Sequence, residues 1–435
     1  MLYVVYKFMA PKIKVAPSSK KNRQLTCIDL FAGCGGLSLG LENANFHPLL
    51  FSEINGHAAE TYEANRTKDI ERIGDIYKLT DADLKNYLKK WKKEKDIDQV
   101  DLVCGGPPCQ GYSGIGHRRT FKLAKEDIPS NHLFLEMVRV IRCVQPKIFL
   151  FENVRGLLNA RWTPSGKKGE IFKAVVDAFK AIDGYEIQWE LLHAKNYGVP
   201  QNRPRVIMIG IRKNLLPSDM PSPRDEATSE KPNAVKYGFL PPPSGTPPSM
   251  EDLLSDLEDS DYLEKSETTT YPKAATTPIQ KKLRTWKGKI MGKGEKLTEQ
   301  EYSDHAPRIR EKYKYMIKNN GEIPARFKTK KFAQRVFPIK WAEGGPNITA
   351  TSLPDDYVHY RQPRSPTVRE WARIQTFPDW YQFRGPRTTG GRRRAGDPSL
   401  GLWDRDVPRY TQIGNAVPVL LAEKIGSHIA RILLG

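Results

Sequence analysis

The sequence predicts an α/β fold in which a doubly wound, mostly parallel sheet carries helices on both faces, together with a second, smaller domain. Three observations support this class. Short apolar runs alternate with amphipathic stretches through the first half of the chain, which is the order of parallel strands joined by crossover helices. A glycine-rich turn follows the first run, as at the ligand-binding edge of such sheets. The composition then changes near residue 215.

Six apolar runs are predicted to be buried strands, because they are short and separated by helical patterns or turns. They occupy residues 26–31, 48–54, 100–105, 147–154, 186–194 and 206–211. Apolar residues at helical spacing predict a crossover helix at 132–144. Because ligands of such sheets bind at the carboxyl ends of the strands, functional residues are expected in the loops that follow.

The second half of the chain has a different amino-acid composition. Pro, Ser and Gly are frequent at 217–248, and an acidic stretch at 251–267 precedes a basic segment at 281–340. A helix is predicted at 418–434, where Pro418 suits the first turn. This final helix is expected to pack back on the main domain. The predicted organisation is a flexible extension at 1–23, a main domain at 24–214, a variable second domain at 215–360 and a C-terminal segment at 361–435.

The composition favours an intracellular protein with a polyanionic partner. Lys and Arg exceed Asp and Glu by 70 − 50 = 20, and such an excess attracts phosphates. The five cysteines show no Cys-X-X-Cys spacing, which argues against a disulfide framework and a zinc knuckle. Residues 1–10 are too short to cross a bilayer and lack the order of a secretory signal. We therefore expect a cytoplasmic protein without a membrane partner.

The first motif, Asp-Leu-Phe-Ala-Gly-Cys-Gly-Gly at 29–36, predicts a ligand-binding turn. Its glycines would let the backbone approach a ligand and direct a helix amino terminus at a polar group. Glu53 ends the second run, where a carboxylate can hold ribose hydroxyls. Asp75 could accept a hydrogen bond from an adenine amine. These residues predict a nucleoside cofactor of unspecified kind, although Ser38 replaces the third glycine of a dinucleotide fingerprint and disfavours NAD.

Other strand ends carry reactive groups. Cys109 follows the third run after two prolines, which fix the backbone before a soft nucleophile. The remaining cysteines fit buried apolar filler better. Glu152 ends the fourth run, where a buried carboxylate needs a partner, and a structural salt bridge is the alternative to a catalytic role. Arg203 and Arg205 precede the last run and could pair with carboxylates or clamp a phosphate or a base.

In this order, the motifs resemble those of the cytosine-C5 DNA methyltransferase family, of the prokaryotic restriction–modification type. The resemblance covers residues 25–434 apart from the variable segment. It implies the class I S-adenosylmethionine-dependent methyltransferase fold, with the second domain as a target-recognition domain. The matching segments are Phe-Ala-Gly-Cys-Gly-Gly at 31–36, Pro-Pro-Cys-Gln at 107–110, Glu-Asn-Val at 152–154, Gln-Asn-Arg-Pro-Arg at 201–205, Thr-Val-Arg-Glu-Trp-Ala-Arg-Ile-Gln at 367–375 and Gln-Ile-Gly-Asn-Ala-Val-Pro at 412–418.

The resemblance implies a role for each matching residue. Cys109 is similar to the thiolate that adds to cytosine C6, and Glu152 to the acid that bonds N3 and the amino group. Arg203 would support Glu152 or the base, with Arg205 behind it. The methyl donor would be S-adenosylmethionine, and no metal is required. The implied cofactor-binding residues are Phe31, Gly33, Gly35, Gly36, Glu53, Ile54, Asp75, Ile76, Pro107, Asn415 and Val417.

The resemblance also implies the partners. The substrate would be double-stranded DNA, with the target base flipped out of the stack. The variable segment would read the DNA sequence, and the arginine-rich insert at 384–409, with Arg387 and 392–394, is expected to contact the DNA backbone. The enzyme is expected to act as a monomer near the nucleoid, and a cognate restriction endonuclease would cut the same site without direct contact.

Three other functions are compatible with part of the sequence. An RNA cytosine methyltransferase of the same fold, acting on tRNA, shares the Pro-Cys-Gln and Glu-Asn-Val motifs, but the long basic variable segment favours DNA. A catalytically inactive DNA-binding relative would be expected to lack Cys109. A nucleotide-dependent oxidoreductase would leave Cys109 and Glu152 unexplained.

Overall fold

The computed structural model describes residues 23–108, 129–163, 165–216, 232–328, 334–338, 346–349, 354–388 and 406–435. The predicted nucleophile Cys109, the arginines at 392–394 and the extension up to residue 22 lie outside these ranges.

Seven strands form the central sheet, in the order β3-β2-β1-β4-β5-β7-β6. Every pairing is parallel except the two made by β7. The predicted doubly wound, mostly parallel sheet is therefore confirmed, and its six predicted strands agree with the structure to within two residues at each end. The strands are β1 (Leu25–Leu30), β2 (Phe46–Ser52), β3 (Glu71–Ile73), β4 (Leu102–Gly105), β5 (Ile148–Val154), β6 (Tyr185–His193) and β7 (Pro204–Arg212). The three-residue edge strand β3 was not predicted.

Helices cover both faces of the sheet. Along β5, Phe149 and Phe151 face one apolar layer, and Ile148 and Leu150 face the other. The first layer contains α3 (Asp81–Lys95), α4 (Leu133–Val144) and α5 (Glu170–Lys180), and the second contains α1 (Gly36–Glu42) and α11 (Val419–Leu434). The helix α2 (Gly56–Ala64) packs on the β2 edge through Tyr62 and Phe51. Among the described residues, no helix combines the length and the apolar character needed to cross a membrane.

Another apolar cluster is built around Trp371, and it joins the variable segment to the C-terminal segment. Met250, Tyr271, Phe337 and Tyr357 belong to it. The assignment of this part of the chain to a separate second domain remains a prediction. The elements of this part are α6 (Met250–Leu254), α7 (Pro278–Arg284), β8 (Thr285–Trp286), β9 (Lys289–Ile290), α8 (Pro307–Lys318), β10 (Arg335–Val336), β11 (Tyr357–Val358), α9 (Val368–Ile374) and α10 (Arg409–Asn415).

Buried arginines hold these elements together. Arg373 of α9 is fully buried and donates to Oδ1 of Asp256 at 2.5 Å and to Oδ2 of Asp379 at 2.6 Å. Arg284, which ends α7, donates to Oδ2 of the same Asp256 at 3.1 Å. Asp256 is therefore shared by two guanidinium groups that have no access to water, and Asp379 is the second carboxylate that balances them. The network fixes α9 against α7 and the 256 turn.

Replacing Asp256 with alanine is expected to lower the free energy of unfolding by about 3–5 kcal/mol, because two buried cations lose their shared carboxylate. Asp304→Ala is the control: Asp304 also pairs with an arginine, but its side chain is 98% exposed. Its cost is expected to be at most about 1 kcal/mol. Denaturant unfolding of both variants tests this, and equal losses would contradict it.

Candidate active site

The carboxylate of Glu152 lies at the carboxyl end of β5, near the middle of the sheet. Glu152 is paired in register with Ile207 of β7. Nε of Arg205 is 2.6 Å from Oε1 of Glu152, and the side chains are only 9% and 12% exposed, respectively. Glu152 is therefore a nearly buried carboxylate, held by one guanidinium at the edge of the sheet where ligands of such folds bind.

Two opposing effects set the proton affinity of Glu152. Burial raises the pKa of Glu152, and the positive charges of Arg205 and Arg203 partly offset the rise. The net direction is upward, so this carboxyl keeps a proton at a higher pH than an exposed glutamate does. Such a group can donate a hydrogen bond to a ring nitrogen and share its proton.

Arg203 has a different set of partners from the one predicted. Its guanidinium donates to the carbonyl oxygen of Ile348, and its Nη2 donates to the carbonyl oxygens of Gly414 at 2.6 Å and Asn415 at 3.3 Å. Of the two arginines, Arg205 is therefore the one paired with Glu152, and the expectation that Arg203 supports Glu152 or the base remains a prediction. Arg205 lies in β7, paired with Val154 and next to Glu152. Arg203 precedes the strand and is directed towards residues 414–418, at the end of α10 and just after it, which we call the C-terminal loop.

Asn153 anchors the loop that leads to Cys109. Its Nδ2 donates to the carbonyl oxygen of Pro107 at 3.1 Å, and its Oδ1 accepts from the backbone N–H of Val154 at 2.8 Å. Gly106 packs so closely on the site that a Cβ there would lie 2.8 Å from Oε2 of Glu152. The described part of the loop therefore runs directly beside Glu152. Cys109 itself lies outside the described residues.

The turn after β1 forms an open backbone cradle. Phe31 and Gly33 have φ values of 58° and 57°, in the left-handed region that costs a non-glycine residue energy. Ser52 holds the turn, since its Oγ accepts from the N–H of Phe31 at 3.1 Å and its carbonyl accepts from Ala32 at 2.9 Å. A Cβ on Gly33 would have no heavy atom within 4 Å. The turn is thus open on the Gly33 side, where a ligand could approach the backbone.

Glu53 and its neighbours border this cradle. Oε2 of Glu53 accepts from the N–H of Gly33 at 2.9 Å, and Oε1 accepts from the N–H of Asn55 at 2.7 Å. Burial raises the pKa of Glu53, and these two N–H groups oppose the rise. Ile54 projects into solvent with 76% of its surface exposed, although it is apolar. The carboxylate of Glu53 and the exposed apolar side chain of Ile54 therefore follow each other at the border of the cradle.

Asp75 and Ile76 follow the neighbouring strand β3, so they lie at the same edge of the sheet as Glu53. Asp75 caps a short 3₁₀ turn by accepting from the N–H of Tyr77 at 3.1 Å, and Ile76 is buried. The parallel pairing of β2 and β3 is what places Asp75 and Glu53 at one edge.

The C-terminal loop packs against the glycines of the first turn. A Cβ on Gly36 would lie 2.5 Å from the carbonyl oxygen of Val417, and one on Gly35 would lie 2.6 Å from a guanidinium nitrogen of Arg66. These two glycines are therefore required for packing, in contrast to Gly33. Asn415 is exposed. The residues 415–417 are thus brought to the cradle from the other end of the chain.

Two glutamines position this loop, and sequence reasoning gave neither a role. Nε2 of Gln375 donates to the carbonyl oxygen of Ile413 at 2.8 Å, and Oε1 of Gln375 accepts from Nε2 of Gln201 at 2.6 Å. Gln201 also accepts from the N–H of Ile348 at 3.3 Å. Both residues belong to the quoted motifs, but only the tertiary structure shows that they touch.

A buried carboxyl beneath the cradle was also missed. Asp29 of β1 is 1% exposed, accepts from Oγ of Ser38 at 2.5 Å, and Ser38 is 2.8 Å from the hydroxyl of Tyr62. Burial raises the pKa of Asp29 to about 7, and the hydrogen bond from Ser38 only partly offsets the rise. An acidic residue inside an apolar strand was the available sequence signal.

Within the described residues, no group of three or more His, Cys, Asp or Glu side chains could hold a metal ion.

Comparison with known proteins identifies the family. The family model of the C-5 cytosine-specific DNA methylases matches residues 25–431. The Type II methyltransferase M.DdeI of Desulfomicrobium norvegicum is 31% identical over 421 residues, which span 93% of this chain and 88% of that protein. The Type II methyltransferase M1.HphI of Haemophilus parahaemolyticus is 29% identical over 412 residues, covering 94% of this chain and 87% of that protein.

The same fold is present in a solved structure. A crystal structure of an E. coli prophage protein, described as a DNA modification methyltransferase, aligns with a TM-score of 0.64 at 24% identity. The alignment covers 94% of this chain and 100% of that chain. The fold is therefore that of the class I methyltransferases, and the chain belongs to the C-5 cytosine-specific DNA methylase family. It is a DNA cytosine-5-methyltransferase with S-adenosylmethionine as its methyl donor.

The residues at the cradle fit this donor. S-adenosylmethionine carries a ribose, an adenine and an amino acid end, and the cradle offers an open backbone at Gly33, a carboxylate at Glu53 and an exposed apolar side chain at Ile54. These groups match a nucleoside that needs hydroxyl acceptors and an apolar surface for its base. The individual assignments remain predictions.

Asn153→Ala is expected to slow methyl transfer by tenfold or more, because Pro107 loses the hydrogen bond that holds the loop before Cys109 and the geometry of attack is sensitive to small displacements. Asn319→Ala, which removes an amide that caps the end of α8 by donating to Tyr315, is the control. Loss of cofactor affinity with unchanged turnover would contradict the assignment.

Asp29→Asn is expected to reduce the decline of stability with rising pH. Because the pKa of Asp29 is raised from 3.8 to about 7 in the folded protein, its stabilising contribution is complete below about pH 4 and is lost as the pH rises through about 7. Asparagine does not titrate. The melting temperature of the variant, relative to that of the wild type, should rise between pH 5 and pH 8. Asp183→Asn, at an exposed position, controls for the change of residue type, and a parallel pair of curves would refute the prediction.

Proposed function

We propose that this enzyme methylates C5 of a cytosine within a specific sequence of double-stranded DNA, through a covalent bond between Cys109 and C6 of the flipped base. The observation that carries the proposal is the pair formed by Glu152 and Arg205, 2.6 Å apart, beside the loop that Asn153 ties down before Cys109. This arrangement supplies an acid with raised proton affinity next to the segment that carries the nucleophile.

The reaction then follows from the chemistry of these groups. The Cys109 thiolate forms a bond to C6, and the displaced ring electrons make C5 nucleophilic. Glu152 bonds N3 and the amino group and offsets the negative charge of the ring, while Arg205 keeps the carboxyl in position. S-adenosylmethionine, when bound, would supply an electrophilic methyl group to C5 and depart as S-adenosylhomocysteine. Transfer of the C5 proton to water then re-forms the double bond between C5 and C6 and expels the Cys109 thiolate.

The other contacts support an assembled pocket. Arg203 donates to the carbonyl oxygens of Gly414 and Asn415, so the residues that face the base and those that face the cofactor share one support. Phe31, Gly33, Glu53, Ile54 and the Asp75–Ile76 pair would bind the donor. Pro107, Asn415 and Val417 would close its pocket, and Gly35 and Gly36 would let the C-terminal loop approach.

The variable segment is proposed to select the DNA sequence. Its helix α8 exposes Arg308, Lys314 and Lys318 together with Tyr315, which is 41% exposed. Cationic side chains of this kind hold phosphates, and neighbouring polar groups can read base edges. Of the arginine-rich insert, Arg387 donates to the carbonyl oxygens of Glu301 and Tyr302, which supports a structural role for this one arginine.

The biological setting is proposed from the relatives. M.DdeI and M1.HphI are named Type II methyltransferases, so protection of host DNA from a cognate restriction endonuclease is the favoured role. The enzyme would act as a monomer in the cytoplasm, associated with the nucleoid. The endonuclease would share the recognition site and would not need to touch the enzyme.

Cys109→Ser should abolish methyl transfer to unmodified bacterial DNA, because a serine hydroxyl is a far weaker nucleophile than a thiolate at neutral pH. Wild-type enzyme should form a covalent complex with DNA containing 5-fluorocytosine, since the C5 fluorine cannot leave as a proton does, and the variant should not. Cys143→Ser, at a half-buried position of α4, is the control and should retain both activities. Turnover by the Cys109 variant, or no adduct with the wild type, would overturn the mechanism.

A further inference from the structure

The connection between β5 and α5 is a basic surface at the edge of the sheet that carries the site. It spans residues 155–169 and begins three residues after Glu152. It contains four cationic residues, Arg155, Arg161, Lys167 and Lys168, and no acidic residue. Because β5 ends and α5 begins at the carboxyl edge of the sheet, the connection stays at the edge where the base would enter. All its residues except 164 are described.

Glu170, the first residue of α5, fixes the shape of this connection. Its Oε1 accepts from the backbone N–H of Trp162 at 2.5 Å, and its Oε2 accepts from the backbone N–H of Lys167 at 2.9 Å. A Cβ on Gly166 would lie 2.1 Å from Oε1 of Glu170, so the backbone wraps closely around the carboxylate. The ring of Trp162 stacks on His132, with centroids 5.2 Å apart. Both carboxylate oxygens of Glu170 therefore accept hydrogen bonds from backbone N–H groups of the connection.

Three of the four cationic side chains of the connection are left to solvent. Arg155, Lys167 and Lys168 are exposed, and within the described part of the chain none of the three is paired with a carboxylate. In the basic segment 281–340 some cations are exposed as well, but others are already neutralised. The neutralised ones are Lys282 with Glu423, Lys289 with Glu295, Arg310 with Asp304 and Arg326 with Glu311. The connection thus adds three unpaired exposed cations that follow Glu152 closely in sequence.

We propose that Arg155, Lys167 and Lys168 form a phosphate-binding surface that holds the DNA backbone beside the nucleotide whose base enters the site. The inference rests on the proposed function. A run of unpaired cations fits a polyanion, since each contact releases counterions from the DNA. The hydrogen bonds from Trp162 and Lys167 to Glu170 restrain the backbone of the connection, which lowers the conformational cost of binding. The surface touches only phosphates, so it strengthens binding to every DNA sequence equally and leaves sequence selection to the variable segment.

The test removes two charges at the tip of the connection. The double variant Lys167→Gln/Lys168→Gln is compared with Lys89→Gln/Lys93→Gln, which removes the same charge from two exposed, unpaired lysines of α3. Binding to a fluorescent duplex of random sequence is measured over a range of salt concentrations. The first variant should bind roughly tenfold more weakly at ~0.1 M salt, with a slope of log affinity against log salt that is shallower by about 1.8. The α3 variant should behave as the wild type.

The kinetics of methyl transfer to unmodified bacterial DNA distinguish phosphate binding by these lysines from a role in catalysis, cofactor binding or folding. The Lys167/Lys168 variant should show a raised KM for DNA with kcat, cofactor affinity and melting temperature close to those of the wild type. If the affinity and salt slope of this variant match those of the α3 variant, while the wild type methylates DNA, the proposed surface is wrong and the proposed function stands. A wild type that forms no adduct with 5-fluorocytosine DNA would instead overturn the proposed function.

Discussion

The rest of the site is arranged around the nearly buried carboxylate of Glu152. Its position at the end of a central strand removes most of its hydration, so a charged partner has to be close. Arg205 provides that partner from the antiparallel strand β7, and this is a direct use of the single reversed strand in the sheet. A Cβ at position 106 would lie 2.8 Å from Oε2 of Glu152, so a side chain there would have to displace this carboxylate. A reversed strand, an arginine and a glycine thus surround one desolvated group.

The pocket is assembled from parts that are far apart in the chain. Gln201 and Arg203 precede β7, Gln375 follows α9, and all three contact either the loop after Ile413 or the segment around Ile348. The C-terminal loop is therefore held by Arg203, which comes from the same motif as the partner of Glu152, and by Gln375 from the 367–375 motif. A displacement of this loop would disturb the cradle and the packing of Arg203 together, because they have a common support.

Local patterns predicted the sheet and the residues at its edge, because strand alternation and strand ends are properties of short segments. The strand β3 was missed because Glu71–Ile73 is too short and polar to produce a pattern. The pairing of Arg205, rather than Arg203, with Glu152 could not be predicted because it depends on ladder register, which is set by residues about 50 positions away. The excess of 20 positive charges could not be located from composition: Arg284 and Arg373 contribute to it but are buried in the network around Asp256.

The close contact between Gly36 and Val417 has a consequence for folding during translation. The turn of the cradle that follows β1 is translated early, but the carbonyl that packs on it is translated only after all seven strands of the sheet. A growing chain therefore carries an unfinished cradle, with α1 lacking the α11 surface on which it packs, until residues 417–434 have been made. The cradle is thus completed later than the sheet that carries it.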